Sequence, residues 1–314
     1  TNIVIDDRGE ELRRDSSQRH ADATLTYLKT RGSSSKPFYI YIAPPVPHDP
    51  RVAPAEFHRL YDPAKIPLPA AFLPQHPWDN GEMAVRDEHL APWPRTPEDT
   101  RQQLADYYAT ITAFDYQVGR VFAALKASGE WENTIVVFTS DNGLSMGEHG
   151  LFGKQNLYEF GGMHVPFVIA GPGIPQGKKS ALVYLMDLLP TFAEIAGAPI
   201  PSEVEGKSLV AVIQGREDKV RDLLYTGYRD GQRAIRDQRW KLYRYPLVDR
   251  TQLFDLANDP HELKNLADDP KHAGKRAELT EKLKTEMARY GDTTPLVVAN
   301  PAPAEWTAPP RKPW

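Results

Sequence analysis

Three short apolar runs frame this chain: Phe38–Ala43, Thr134–Thr139 and Val165–Ala170. Runs this short, rich in β-branched and aromatic residues, suit strands buried on both faces better than helices. Between the first two, the period changes. Thr96-Pro97-Glu98-Asp99 reads as a helix start, with Thr96 as N-cap and Pro97 at the first helical position. Leu104, Tyr107, Ile111, Phe114, Val118, Val121 and Leu125 come next at steps of three and four, a core-facing stripe that Gly129 closes. Residues 17–30 read as an earlier helix, with Ala21, Leu25 and Leu28 on one face, and residues 184–196 as a later one. Strands alternating with helices predict an α/β fold whose mostly parallel sheet is flanked by helices.

The loops that leave these runs are as telling as the runs themselves. Phe38–Ala43 breaks into Pro44-Pro45-Val46-Pro47-His48-Asp49-Pro50, a stiff loop that can be neither helix nor inner strand. Thr134–Thr139 leads to Asp141-Asn142-Gly143, and Lys154 comes thirteen residues after Asp141. In parallel sheets ligands gather beyond the carboxyl ends of the strands, where His48 and Asp141 both fall. A carboxylate and an amide oxygen suit a hard cation. A lysine close behind suits an anion held on that cation. The pattern therefore predicts a metal-assisted site for an oxyanion ester. The plainer readings are an ordinary Asp-Asn-Gly turn, a surface lysine and a loop histidine bonded to backbone.

Residues 51–95 are proline-rich and aperiodic, which predicts a wall of the site or a lid. Its aromatic residues Tyr61, Trp78 and Trp93 are expected to offer faces on which a sugar could stack. Beyond residue 220 the pattern turns antiparallel. Gln232–Arg236 and Trp240–Tyr245 flank an expected turn at Asp237-Gln238-Arg239, and Gln252–Leu256 reads as a third strand. Lys275–Tyr290 reads as a helix, with Leu279, Leu283 and Met287 on one side. This predicts a small C-terminal α+β subdomain. The expected division is 1–220, 221–293 and a proline-rich tail, 294–314, that wraps the surface or stays disordered.

Composition closes off other classes. Net charge is −4 and pI about 6.2, so nothing calls for nucleic acid or an anionic membrane. No apolar run reaches the ~18 residues of a membrane span. Zero cysteine excludes disulfides, thiolate metal sites and a cysteine nucleophile. The chain opens on Thr1 and carries no signal-peptide pattern, and it is expected to be processed or a fragment.

Taken together, the motifs resemble a known family. Val136 to Gly143, then Gly147-Glu148-His149-Gly150 and Lys154, then Val165-Pro166-Phe167-Val168-Ile169 with Gly171-Pro172-Gly173, resemble the type I sulfatases of the alkaline phosphatase superfamily. Pro47-His48-Asp49-Pro50 is similar to the family's Pro-His-x-Pro loop. Asp187-Leu188-Leu189-Pro190-Thr191, Gly206-Lys207-Ser208-Leu209 and Leu253-Phe254-Asp255-Leu256 come in the family's order. The resemblance implies an alkaline-phosphatase-like fold and calcium-dependent hydrolysis of sulfate esters, with sulfated polysaccharide or a sulfated small molecule as substrate. It implies Asp141 and Asn142 as calcium ligands, Lys154 as the sulfate-binding lysine and His48 as the donor to the leaving alkoxide. It places His149 near the substrate, and Tyr228, Arg229 and Arg233 are expected to reach it from the C-terminal subdomain. A protein of this kind is expected in the periplasm or outside the cell.

One departure is large. The family's nucleophile is a formylglycine made in a Cys/Ser-x-Pro-x-Arg motif, and no such motif occurs here. Thr307-Ala308-Pro309-Pro310-Arg311 has the wrong first residue. Asp6 and Asp7 are the one pair that could stand for the family's first metal aspartates, and they suit a turn equally well. The expectation is the C-terminal part of a longer sulfatase. The alternatives are a phosphodiesterase or phosphonate monoester hydrolase of the same superfamily, or a non-catalytic carbohydrate-binding relative.

Overall fold

In a computed structural model, residues 16–32 and 34–309 are described. Asp6, Asp7, Pro310 and Arg311 lie outside the described residues. The chain divides into two units. The first takes residues up to 68, 96–136 and 170–172; the second takes 69–95, 137–169 and the rest.

Helices α1 (Ser16–Arg31), α2 (Ala55–His58) and α3 (Pro97–Ala127) build the first unit. α3 starts as its cap dictates: the Thr96 hydroxyl accepts the Asp99 N–H at 3.1 Å, and Pro97 occupies a position where no N–H is needed. It ends at Ala127, and Gly129 takes a positive φ of 77°. Ala21 and Leu28 of α1 bury against Val121 and Leu125 of α3. The stripe read from sequence is shifted in its middle. Ile111 is exposed, and the small side chains Ala105, Ala109 and Ala113 are buried in its place.

Phe38–Ala43 is not the strand expected from its composition. Among the described residues it joins no ladder, and Tyr39 and Tyr41 are 73% and 79% exposed. Phe38 and Ile40 pack on the α1–α3 core. The run is therefore buried on one face with period two, and its aromatic content misled the both-face reading.

β1 (Val136–Thr139) and β2 (Phe167–Ala170) pair as a two-stranded sheet among the described residues. In the second unit, α4 (Leu188–Ile195) and α5 (Val210–Ile213) are tied by Asp187. That buried carboxylate takes two 2.6 Å bonds from Arg221 and the N–H groups of Tyr184 and Lys207. Gly206 passes so close to Asp187 that an added Cβ would stand 3.2 Å from its Cα.

The C-terminal sheet is the antiparallel meander β3 (Leu224–Tyr228), β4 (Gln232–Arg236), β5 (Trp240–Tyr245) and β6 (Arg250–Asp255). β3 was not anticipated, because Thr226 and Gly227 interrupt its apolar alternation. Residues alternate between two cores, as the pleat requires. Ile235, Leu242 and Leu253 face Leu279, Leu283 and Met287 of α6 (Ala273–Arg289). Full burial of each such side chain is worth about 1.5–3 kcal/mol. On the other face, Ala234, Tyr243, Tyr245 and Phe254 cover Leu151, Leu157 and Tyr158. The loop that carries Lys154 therefore rests on this sheet.

The proline-rich tail wraps the second unit. The Asp79 N–H donates to Ala304 O at 2.9 Å, the Ala302 N–H to Leu247 O at 2.8 Å, and Trp306 stands edge-on to Trp93. Among the described residues no helix is long and apolar enough to cross a membrane.

Candidate active site

The segment after β1 is a knitted loop rather than an open excursion. Ser140 Oγ donates to Asn142 O at 2.8 Å, and Asp141 Oδ1 accepts the Asn142 N–H at 3.0 Å. The Asn142 amide nitrogen donates to Gly143 O at 2.7 Å, which fixes its Oδ1 on the opposite side of the amide plane. Asp141 is exposed and Asn142 half-buried. Among the described residues nothing donates to Asp141 Oδ2 or Asn142 Oδ1.

Two backbone bonds then fold the loop back on itself. The Gly143 N–H reaches Gly162 O at 2.8 Å, and the Ser145 N–H reaches Gly153 O at 3.0 Å. Asn156 bridges the Ser145 hydroxyl and Gly153 O. The backbone just after Asn142 and the backbone just before Lys154 are thereby joined. Lys154 is half-buried, and its N–H donates to Gln155 Oε1 at 3.0 Å. Its ammonium has no partner among the described residues.

Gly147–Gly150 forms a tight turn with φ of 105° at Gly147, 53° at His149 and 77° at Gly150. Glu148 bridges to Phe72, and the His149 N–H donates to Ala71 O at 2.7 Å. The turn buries its histidine. His149 is 8% exposed, and its ring stacks on Tyr158 at 3.7 Å between centroids. Burial, helped by the charges of His76, His261 and Lys241, lowers its pKa to about 3. His149, expected near the substrate, is thus placed against Tyr158 rather than in solvent. Below it, His76 donates from Nδ1 to His149 O at 2.9 Å, and burial lowers its pKa to about 4.

Arg233 is also engaged within the protein. Its guanidinium is buried, and its donors go to Asp292, Thr294 and the carbonyls of Arg229 and Gln232. None is left for a substrate. Tyr228 keeps its candidacy: it is half-buried at the end of β3, in a hairpin tied to the Lys154 loop by Gln232, whose Nε2 donates to Gln155 O at 2.9 Å. Burial and the charges of Glu82 and Asp87 push its hydroxyl pKa up. Trp93 is 4% exposed and lies under the Arg95 guanidinium, so it offers no face to a sugar. The Tyr61 hydroxyl is engaged with Thr112 at 2.6 Å, and Trp78 is partly buried against Tyr245.

His48 belongs to the first unit. It is exposed, and its Nδ1 lies 2.9 Å from Asp49 O and 3.2 Å from the Asp49 carboxylate. A proton on Nδ1 satisfies both and leaves Nε2 uncommitted.

Several residues around Lys154 escaped the sequence reading. Glu88 and Arg95 form a buried ion pair at 2.5 Å. Glu88 also accepts the Phe152 N–H at 3.0 Å, and Arg95 Nε donates to Gly150 O at 3.3 Å. Burial pushes the Glu88 carboxyl up and lowers Arg95 to about 10, while each charge pulls the other back. Their only sequence signal is a charge in a stretch of prolines and tryptophans, which does not tell burial from exposure.

Residues 3–198 match the family model for sulfatases. The chain belongs to the sulfatase family. Residues 147–289 also match the model for the C-terminal region of N-sulphoglucosamine sulphohydrolase. A choline-sulfatase from Rhizobium meliloti is 32% identical over 255 residues, which is 79% of this sulfatase-family chain and 49% of that relative. A protein solved in complex with its substrate D-glucosamine-2-N,6-O-disulfate superposes with a TM-score of 0.76 at 25% identity, covering 90% of this chain and 71% of that one. The phosphonate monoester hydrolase of Silicibacter pomeroyi gives 0.74 at 26%, covering 93% and 65%. The fold is alkaline-phosphatase-like. The chain spans about half the length of the curated relatives it matches.

Proposed function

We propose that this chain is the C-terminal part of a calcium-dependent sulfatase acting on a sulfated sugar, and that it supplies the later metal ligands and the anion-binding lysine. The observation that carries the reading is the loop after β1, where acceptor oxygens of Asp141 and Asn142 and the Lys154 ammonium all lack partners among the described residues, on a backbone stitched together between them.

Those two oxygens fit a hard cation, and they are two of the six to eight that calcium takes. No group of three or more His, Cys, Asp or Glu side chains is gathered for a metal among the described residues. Calcium, when bound, polarises the sulfuryl oxygens of the ester. Formylglycine has no counterpart in a sequence without cysteine or Ser-x-Pro-x-Arg. Lys154 offsets the charge that builds on the sulfuryl oxygens. His48 donates a proton to the departing alkoxide from Nε2, with Asp49 holding its Nδ1 side. Tyr228 touches the sugar.

The sugar substrate is supported by the disulfated glucosamine bound to the structural relative. The likeness to a phosphonate monoester hydrolase favours a second reading, turnover of phosphonate or phosphate esters at the same loop. Full-length protein offered 4-nitrophenyl sulfate beside the phosphonate and phosphate analogues decides between them. Preference for the sulfate supports the proposal, and preference for the phosphonate overturns it.

Two substitutions test the roles. Asp141→Ala should weaken calcium at least tenfold in calorimetric titration of the full-length protein, and unchanged affinity would remove Asp141 from the site. His48→Ala should slow esters of poor leaving groups at least tenfold more than esters of good ones. A parallel loss across leaving groups would deny it the donor role.

A further inference from the structure

We propose that Asp87 and Glu88 are positioning residues for Lys154, two adjacent carboxylates that clamp the backbone on either side of Gly153. The inference rests on reading Lys154 as the anion ligand. Both acids sit in the turn Arg86–Leu90 and both are buried. Glu88 takes the N–H of Phe152, the residue before Gly153, with both oxygens, at 3.0 and 3.2 Å. Asp87 acts on the other side through Gln155. Its Oδ2 accepts Gln155 Nε2 at 3.0 Å, and Gln155 Oε1 in turn accepts the Lys154 N–H at 3.0 Å.

The fit is close, and a side chain at Gly153 would make Gln155 turn away from its two bonds. A Cβ on Gly153 would overlap Gln155 Oε1 and stand 3.0 Å from Glu88 Oε1 and 3.3 Å from Asp87 Cβ. The two acids differ in what balances them. Glu88 is neutralised internally by Arg95, which also reaches Gly150 O and so braces the turn before the lysine. Asp87 is shared between the Gln155 amide and Arg86, 2.8 Å from its Oδ1. Neither carboxylate bonds to the Lys154 ammonium. The loop thus holds a lysine fixed at its backbone while its charge remains unneutralised, and preorganisation of that kind makes a donor worth more to a developing anion.

The test tracks the Lys154 amide by hydrogen exchange, and its side chain by the NMR signal of the ¹³C-dimethylated amine during titration with inorganic sulfate in the presence of calcium. In Asp87→Ala and Gln155→Ala the Lys154 amide should exchange at least tenfold faster and the sulfate midpoint should rise at least fivefold. Asp87→Asn, whose side-chain oxygen can still accept from Gln155, should restore both. Unchanged exchange at Lys154 in Asp87→Ala, or failure of Asp87→Asn to rescue while the melting temperature is unchanged, overturns the positioning role. A Lys154 signal that ignores sulfate in the unsubstituted chain overturns the anion-site reading instead, and with it the purpose assigned to the clamp.

Discussion

Gly150→Ala is expected to destabilise the second unit by about 4 kcal/mol. Two independent costs add. The backbone there has φ of 77°, where a Cβ costs roughly 1–2 kcal/mol. A Cβ would also overlap the Gln75 carbonyl carbon and the His76 nitrogen and stand 2.8 Å from Gln75 Cα. These are backbone atoms that cannot swing aside, and overpacking of this kind costs about 1–3 kcal/mol. Gly81→Ala separates the two terms. Gly81 has φ of 92°, yet nothing lies within 4 Å of a Cβ built on it. It should lose only the conformational part, about 1 kcal/mol. Denaturant midpoints of the two variants check this. Equal losses would mean that the close approach of residues 75–76 to the Gly147–Gly150 turn carries no energy.

Acidification is expected to remove about 3 kcal/mol of stability between pH 6.5 and 4 through His76 alone. Its folded pKa of about 4 lies below the unfolded value of 6.5, so the unfolded chain takes up the proton first as pH falls. The contribution is complete above pH 6.5 and is lost as pH falls through the folded pKa. The cause is geometric. With Nδ1–H donating to His149 O, Nε2 is buried with no partner, and protonation would place an unsolvated N–H⁺ there. His149, held to about 3, adds in the same direction. Glu88 and Glu262 oppose the trend, because burial raises their carboxyls and their contribution is lost as pH rises. The measurement is therefore a difference. Denaturation of the parent chain and of His76→Asn, whose amide can keep the bond to His149 O, should diverge above pH 4 by that amount. Parallel curves would show that His76 titrates normally.

The helix Ala273–Arg289 was legible because three apolar residues punctuate an otherwise charged segment at one spacing. The hairpin β4–β5 was legible because alternation and a turn signal agreed. Asp141 and Asn142 could be singled out, but their local bonds suit a turn as well as a cation, so only their neighbours in the family pattern point to metal. His149 shows where reading stops. Gly-Glu-His-Gly looks like an exposed loop, and its ring is buried by Tyr158 and by residues 71–76, which no local pattern links to it. The burial of Arg233 is hidden for the same reason, since Asp292 lies 59 residues along the chain. Asp87, Glu88 and Arg95 are polar residues whose meaning lies wholly in what surrounds them.

Tyr158 bonds to Gln252 at 2.9 Å, Glu159 to Lys241 at 2.6 Å and to Arg236, and Glu262 to the Glu159 N–H at 2.8 Å and to Tyr243. Each partner lies on or beside the C-terminal meander. Melting of that meander would therefore free the segment that directly follows Lys154.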